Sequence, residues 1–581
     1  MRMTTLWIAA AIGGLSAAGP VAGQTIYPIN RAEILEGSRF DFKVEFPNAP
    51  TSADVTVTIN GKAPAEIFGK ATTFMQSEEG QKHSALWLRG ASLPAGTYVV
   101  EATQGTNKAT VKWDVFATAQ PRRAKNVILF IGDGMSVANR TAARILSKGW
   151  DEGRYNGELA MDDMSNMALI STSGSDSIVT DSANAAHAYT TGHKSCVNAL
   201  GVYCAKNALT LDHPKVETIA EVIKRRGQMA IGVVTNSEIE DATPASMVAH
   251  TRRRSDFNDI VKMFHDVQPD VIMGGGSPNF LSKATPGSKR TDEQDFIAKF
   301  KEAGYTLATT KTEMNAAVAA GSKKLLGLYN TGNIDGAFDL RLAKKGTISK
   351  FPDQPDVVEQ TRAALDMLKG NPDGFFLMVE SARIDKYSHS LDWERSVFDT
   401  IMLDNAVKLA KDFAGDRNDT LIIVVPDHAH PISIIGTYDD DRPGQLLRDK
   451  LGVYAESRPP NYGPLDAEGY PTKVDTSRRL AVVYGSYPDT CDTGRPDMSG
   501  ERVPAVKGPD GKTNIANEKD CTGPLAARKT GNLPFDANSG VHSADDVILT
   551  AMGPGAEKFR GHKPNTFVFR VMAEALALGG K

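Results

Sequence analysis

The feature that most limits what this chain can become is a set of four largely apolar runs. They are NVILFIGDG (126–134), MAIGVVTN (229–236), GFFLMVE (374–380) and LIIVVPDH (421–428). A strand with one wet face alternates apolar and polar residues. A run that stays apolar fits a strand covered on both faces, as in a parallel sheet. Helical stretches such as TIAEVIKRRG (218–227) and VVEQTRAALDMLKG (357–370) lie between the runs. The alternation predicts an α/β fold, a doubly wound and mainly parallel sheet flanked by helices.

Each run ends in, or is followed by, side chains that bind cations. The first ends at Asp133. Glu238, Glu240, Asp241 and Thr243 follow the second. The third ends at Glu380, with Asp385 and His389 beyond it, and the fourth ends at Asp427 and His428. In open α/β sheets, ligands gather at the carboxyl ends of strands. A single carboxylate after a strand is usually a cap or turn residue. Four such ends in one place repel one another, and metal ions resolve the conflict. Asp385 and His389 stand one helical turn apart and can face one ion, and the Asp–His mixture suits zinc. Asp427 and His428 supply a second mixed pair. Asp133, Thr243 and Glu380 are all oxygen donors, which suits magnesium. His542, in SGVHSADD before the apolar run VILTAM, reads by itself as an ordinary loop histidine.

TDSANAAHAYTTGHK (180–194) adds a candidate nucleophile. Ser182 precedes small residues of good helix propensity, and a Ser there is most often an N-cap. A helix N-terminus is also an anion site. Beside a metal ion, a Ser in that place can ionise and attack phosphorus.

Residues 1–23, MRMTTLWIAAAIGGLSAAGPVAG, read as a secretory signal peptide cut before Gln24. Export to the periplasm or the extracellular space follows. The apolar stretch is shorter than the roughly 20 residues of a spanning helix. In an oxidising compartment the simplest pairings of the four cysteines are Cys196–Cys204 and Cys491–Cys521. From 24 to 120 the pattern changes to alternation in FDFKVEF (40–46), DVTVTI (54–59), SALWLRG (84–90), TYVVEAT (97–103) and ATVKWDVF (109–116), which predicts a β-sandwich-like domain. Residues 121–581 form the catalytic part, interrupted at about 437–535 by a Gly-, Pro- and Asp-rich insertion. The 581-residue chain has 66 basic and 70 acidic residues and no basic block, which disfavours nucleic acid as a partner.

The strings GDGM (132–135), VTDSA (179–183), EDATPASMVAH (240–250), VESARIDKYSH (379–389), PDHAH (426–430) and VHSADD (541–546) together resemble the alkaline phosphatases, in the family's order and spacing. The resemblance covers about 122–436 and 533–578. It implies two zinc ions and one magnesium per chain and a small phosphomonoester substrate, and it allows a homodimer. It implies Ser182 as a nucleophile forming phosphoserine. It implies Asp385, His389 and His542 on the first zinc, and Asp427 and His428 on the second. Asp133 would bridge the second zinc and the magnesium, which Thr243 and Glu380 also bind. Arg254, four residues after His250, would clamp phosphate. Asp241 and Lys386 match the outer pair of the bacterial form. His187, His193 and Cys196 match no motif position.

Two other readings compete. Phosphodiesterases and sulfatases of the same wider fold have similar strand ends but use Thr or a modified Cys as nucleophile, against Ser182. The N-terminal sandwich reads either as a tether to a surface or as a spacer or lid over the active-site edge.

Overall fold

The computed structural model describes residues 23–227 and 229–580. All but Gly23 of the signal-peptide reading lies outside the described residues.

The four apolar runs become neighbouring strands of one ten-stranded sheet. In spatial order they are Ala230–Glu238, Phe375–Ser381, Asn126–Gly132 and Thr420–Val425, all parallel. Alternate residues of Asn126–Gly132 enter different cores. Val127, Leu129 and Ile131 pack on one side of the sheet, and Ile128 and Phe130 on the other. Both faces are therefore dry, which is why the sequence shows no alternation there. Helices Ile219–Arg226 and Thr566–Ala575 cover the first face, and Val137–Lys148, Val357–Leu368 and Trp393–Ala414 cover the second.

Because the four strands run in one direction, their polar ends share one edge of the sheet. Val547–Met552 lies next to Thr420–Val425 and runs antiparallel to it. This strand starts where its neighbour finishes, so the segment before it, with His542, reaches the same edge.

The five alternating runs form five of the eight strands of two four-stranded sheets that close over one core. In Asn107–Phe116, Val111, Trp113 and Val115 point inward while Lys112 and Asp114 stay wet. Phe42, Val44 and Leu88 of one sheet meet Val100, Val111 and Trp113 of the other. Tyr203 and Val216, which lie far along the chain, join that core.

The 437–535 segment holds small sheets. Ile432–Asp439 pairs with Arg478–Tyr484, and Thr490–Asp492 with Ala527–Lys529. Both local disulfides form, Cys196–Cys204 and Cys491–Cys521.

Candidate active site

Helix Ser182–Thr191 begins with a reciprocal cap, in which Asp181 accepts from the Ala183 N–H at 3.1 Å and Asn184 accepts from the Asp181 N–H at 3.2 Å. Ser182 is the first helical residue, buried at the positive end of the helix. Its Oγ lies 3.1 Å from His428 Nε2.

Two groups of ligand atoms converge there. Asp385, His428, His430 and His542 each place an atom within 4.8 Å of the others, and so do Asp133, Asp427 and His428. Asp385 Oδ1 is 2.7 Å from His430 Nε2, 3.3 Å from His542 Nε2 and 3.4 Å from His389 Nε2. His428 Nε2 is 3.3 Å from Asp133 Oδ1 and 3.4 Å from Asp427 Oδ2. Gly134 makes this approach possible. It has φ 66, and a Cβ there would stand 2.9 Å from both Asp385 and His430.

The donor set calls for cations. His389 Nδ1 is 2.7 Å from the Gly540 carbonyl, and His542 Nδ1 is 2.8 Å from that of Thr180. A carbonyl only accepts, so each Nδ1 carries a proton, which leaves Nε2 as the atom of each ring free to bind a cation. Those two Nε2 atoms face each other at 3.0 Å, beside the Asp385 carboxylate. A metal ion relieves that arrangement, with the backbone carbonyls fixing the tautomers. Asp133 Oδ1, Asp427 Oδ2 and Thr243 Oγ1 are buried without a hydrogen-bond partner. Among the described residues, no Lys or Arg pairs with Asp133 or Asp427; their ion-pair neighbour is His428.

Electrostatics agree. Burial, then the carboxylates of Asp427 and Asp385, push Asp133 well above the usual range. Burial, then Asp385, lifts Asp427 to about 6, and burial lifts Glu380 to about 7. Asp385 behaves oppositely. Burial would raise it, but His389, His430 and His542 hold it well below the usual range. Glu380 is gripped by the Thr235 hydroxyl, which donates to Oε2 at 2.5 Å.

A third group carries fixed positive charge. Arg254 donates from Nη1 to Asp181 Oδ1 at 2.5 Å and from Nη2 to Asp241 Oδ1 at 2.6 Å. Lys386 Nζ donates to Asp241 Oδ2 at 2.7 Å. Of the Arg252–Arg254 triplet, Arg252 turns to the Val197 carbonyl, and Arg253 is exposed beside Asp256, so Arg254 alone reaches this group.

The model of the family described as "Alkaline phosphatase" matches residues 124–578. The chain belongs to the alkaline phosphatase family. Alkaline phosphatase of Escherichia coli (strain K12) is 34% identical over 370 residues, covering 57% of this chain and 75% of its own length. Alkaline phosphatase H of Pseudomonas aeruginosa is 32% identical over 401 residues, covering 63% and 81%. The fold is shared with the crystal structure of the Thermus thermophilus enzyme, with TM-score 0.55 and 23% identity over 80% of this chain and 94% of that one. It is also shared with the enzyme of the Antarctic bacterium TAB5, with TM-score 0.54 and 21% identity over 79% and 99%. Membership makes this chain a metal-dependent phosphomonoester hydrolase.

The twelve residues given a nucleophile, metal or phosphate role in the sequence lie at the carboxyl edge of the sheet or on the segments that leave it, whereas Glu238 pairs with Lys289 and Glu240 accepts from Asn279. His430 and Asp181 were not singled out. His430 is the last letter of PDHAH and meets Asp385 across 45 residues of chain. Asp181 reads locally as a helix cap, and its grip on Arg254 is a long-range contact. Among the described residues no helix is long and apolar enough to cross a membrane.

Proposed function

We propose that Ser182 is the nucleophile of a two-zinc, one-magnesium phosphomonoesterase, and that the chain is exported. The observation that carries this reading is the Ser182 hydroxyl, buried at a helix N-terminus and 3.1 Å from His428 Nε2, beside the convergent ligand set.

Asp385, His389 and His542 would hold the first zinc, with His430 orienting Asp385. Asp427 and His428 would hold the second, and Asp133 would reach both this ion and the magnesium, with Thr243 and Glu380 on the magnesium. When bound, these ions neutralise charge on the attacking, leaving and phosphoryl oxygens and lower the pKa of the nucleophiles. The Ser182 hydroxyl gives its proton to water, and Oγ forms a bond to phosphorus. The bond from phosphorus to the leaving oxygen breaks, and that oxygen takes a proton as the alcohol departs. The planar Arg254 fork matches two of the phosphoryl oxygens, at the positive end of the Ser182 helix. Asp181 and Asp241 keep that fork oriented, and Lys386 holds Asp241. Water then attacks phosphorus, the bond to Oγ breaks, Ser182 regains a proton and inorganic phosphate leaves. Positioning and charge neutralisation are what phosphoryl transfer mainly requires.

Acid quenching during turnover of a chromogenic phosphomonoester should trap phosphate on the peptide that contains Ser182. Ser182→Ala should lose both the adduct and the turnover. An adduct on another residue, or full turnover in Ser182→Ala, refutes the assignment. For export, the two disulfides fit an oxidising compartment. Amino-terminal sequencing of the exported protein should begin at Gln24.

A further inference from the structure

Three residues that the metal and phosphate chemistry leaves unused, His187, His193 and Cys196, converge on one loop. The Cys196–Cys204 disulfide closes it, and Cys196, Ala199 and Val202 form a buried cluster of their own with Cys204 against it. His187, on the helix of Ser182, accepts the Gly201 N–H at 2.8 Å, and His250 Nδ1 lies 2.9 Å from the Gly201 carbonyl. Gly201 has φ 60, and a Cβ there would stand 2.0 Å from the Ala249 carbonyl oxygen, so no other residue fits this contact. His193 Nδ1 lies 2.5 Å from the Tyr203 hydroxyl.

Inside the loop, Asn198 has left-handed backbone, φ 69, which Asn tolerates far better than branched residues do. Its backbone touches both halves of the Arg254–Asp181 pair. The Asn198 N–H donates to Asp181 Oδ2 at 3.2 Å, and the Asn198 carbonyl accepts from the Arg254 N–H at 2.9 Å. Next to it, Leu200 and Thr251 exchange two backbone hydrogen bonds of 2.9 and 2.8 Å. The far end of the loop enters the sandwich. Tyr203 lies in the sandwich core, the Tyr27 hydroxyl donates to the Cys204 carbonyl at 2.8 Å, and the Lys206 N–H donates to Glu45 Oε1 at 2.8 Å.

We propose that the Cys196–Cys204 loop is a positioning element for the phosphate clamp, with Asn198 as the positioning residue, and that the sandwich acts on turnover by bracing this loop. The proposal rests on the reading of Arg254 as the phosphate-holding group. The role falls to the Asn198 backbone, so its side chain matters through the conformation it allows.

The test uses the full chain with its metals. Asn198→Val, Asn198→Gly, Arg254→Ala and the Asn198→Val/Arg254→Ala double variant are compared by the inhibition constant of inorganic phosphate, by kcat and KM, by metal content and by unfolding midpoint. Val disfavours the left-handed backbone and must swing the N–H and carbonyl away, whereas Gly keeps the conformation. Asn198→Val should weaken phosphate binding and raise KM by on the order of tenfold or more, as for a small misplacement of a positioning group. Asn198→Gly should restore wild-type values. In the Arg254→Ala background the Val change should add nothing, the signature of two residues acting through one contact. Metal content should stay constant throughout. Unchanged phosphate binding in Asn198→Val, or an undiminished further loss in the double variant, overturns the proposal. Arg254→Ala with wild-type phosphate binding overturns the clamp reading itself, and the proposal with it. Should Asn198→Val not fold, Tyr27→Phe removes only the hydroxyl that holds Cys204. It should weaken phosphate binding a few-fold in the wild-type background and not in Arg254→Ala, and no change in either background overturns the proposal.

Discussion

The carboxylates and histidines of the active site and a second such cluster in the sandwich solve the same problem differently. In the sandwich, Glu45, Glu78 and His83 bring ligand atoms within 4.8 Å of one another, a geometry as tight as that of the active site. There Lys43, fully buried, places Nζ 2.7 Å from Glu45 Oε1 and 2.8 Å from Glu78 Oε2. Trp87 Nε1 and His83 Nε2 complete the shell of Glu78. At the carboxyl edge of the large sheet, the cations of the chain stop at Asp241, and the oxygens of Asp133 and Asp427 keep no such partner. Ligand types and proximity therefore do not distinguish a metal site from a polar core. What distinguishes them is whether the fold delivers its own positive charge to the carboxylates.

The strongest way to break this contrast is to count metal. The purified mature protein should contain about two zinc and one magnesium per chain. Chelation should reduce phosphomonoester hydrolysis to background, and zinc plus magnesium should restore it. A further equivalent of zinc held by the sandwich, or activity that survives verified metal loss, would erase the distinction. The converse experiment removes the internal cation. Lys43→Met leaves Glu45 and Glu78 facing each other without charge compensation, and should lower stability by about 3–5 kcal/mol in denaturant unfolding. Zinc content should not change, and added zinc should not restore the loss.

Arg254→Ala sharpens the comparison from the active-site side. Arg254 is the fixed charge that the proposed clamp would present to substrate, held between Asp181 and Asp241. A phosphomonoester presents two oxygens to its fork, and a diester presents one with an alkyl group crowding the other. Monoester turnover should fall on the order of 10²-fold, the equivalent of about 3 kcal/mol, and the slow diester reaction much less. Arg252→Ala and Arg253→Ala should be mild, because neither side chain enters the Asp181–Asp241 group.

The smallest expected effect concerns Lys386. Burial would lower its pKa, but Asp241 more than offsets this and raises it, so its charge persists across the working range. A His in its place has an unperturbed pKa near 6.5 and loses that charge at alkaline pH. Lys386→His should strengthen the magnesium requirement and move the pH optimum upward, read from activity profiles at several magnesium concentrations. An unchanged profile would remove Lys386 from the group that tunes the site.

How much of this was legible in the sequence depended on the range of the interactions. The four buried strands and their polar ends announce themselves through local patterning, because burial on both faces leaves a run with no alternation. The five alternating runs do so as well, because one face of each sheet is wet. Arg254 was reachable by counting from His250, but only three-dimensional packing separates it from Arg252 and Arg253. His430 and Asp181 escaped notice because their partners lie 45 and 73 residues away in sequence. Lys43 looks like one more polar position in the alternation of FDFKVEF. It is buried against Trp87 and Glu78 and, 164 residues along the chain, Asn207, which no local pattern encodes.

One small feature has a large reach. Ala429 and Ser543 form an isolated bridge beside His428, His430 and His542, and the Gly540 N–H donates to the His389 carbonyl at 2.8 Å. The long excursion between His430 and His542 therefore leaves and rejoins the reactive centre through a tied neck. Chain inside such a neck can grow, shrink or be exchanged at a closure cost that rises only logarithmically, about 0.6 kcal/mol for each doubling in length. Loop closure therefore sets little limit on the length of this excursion, while the neck keeps its two ends together.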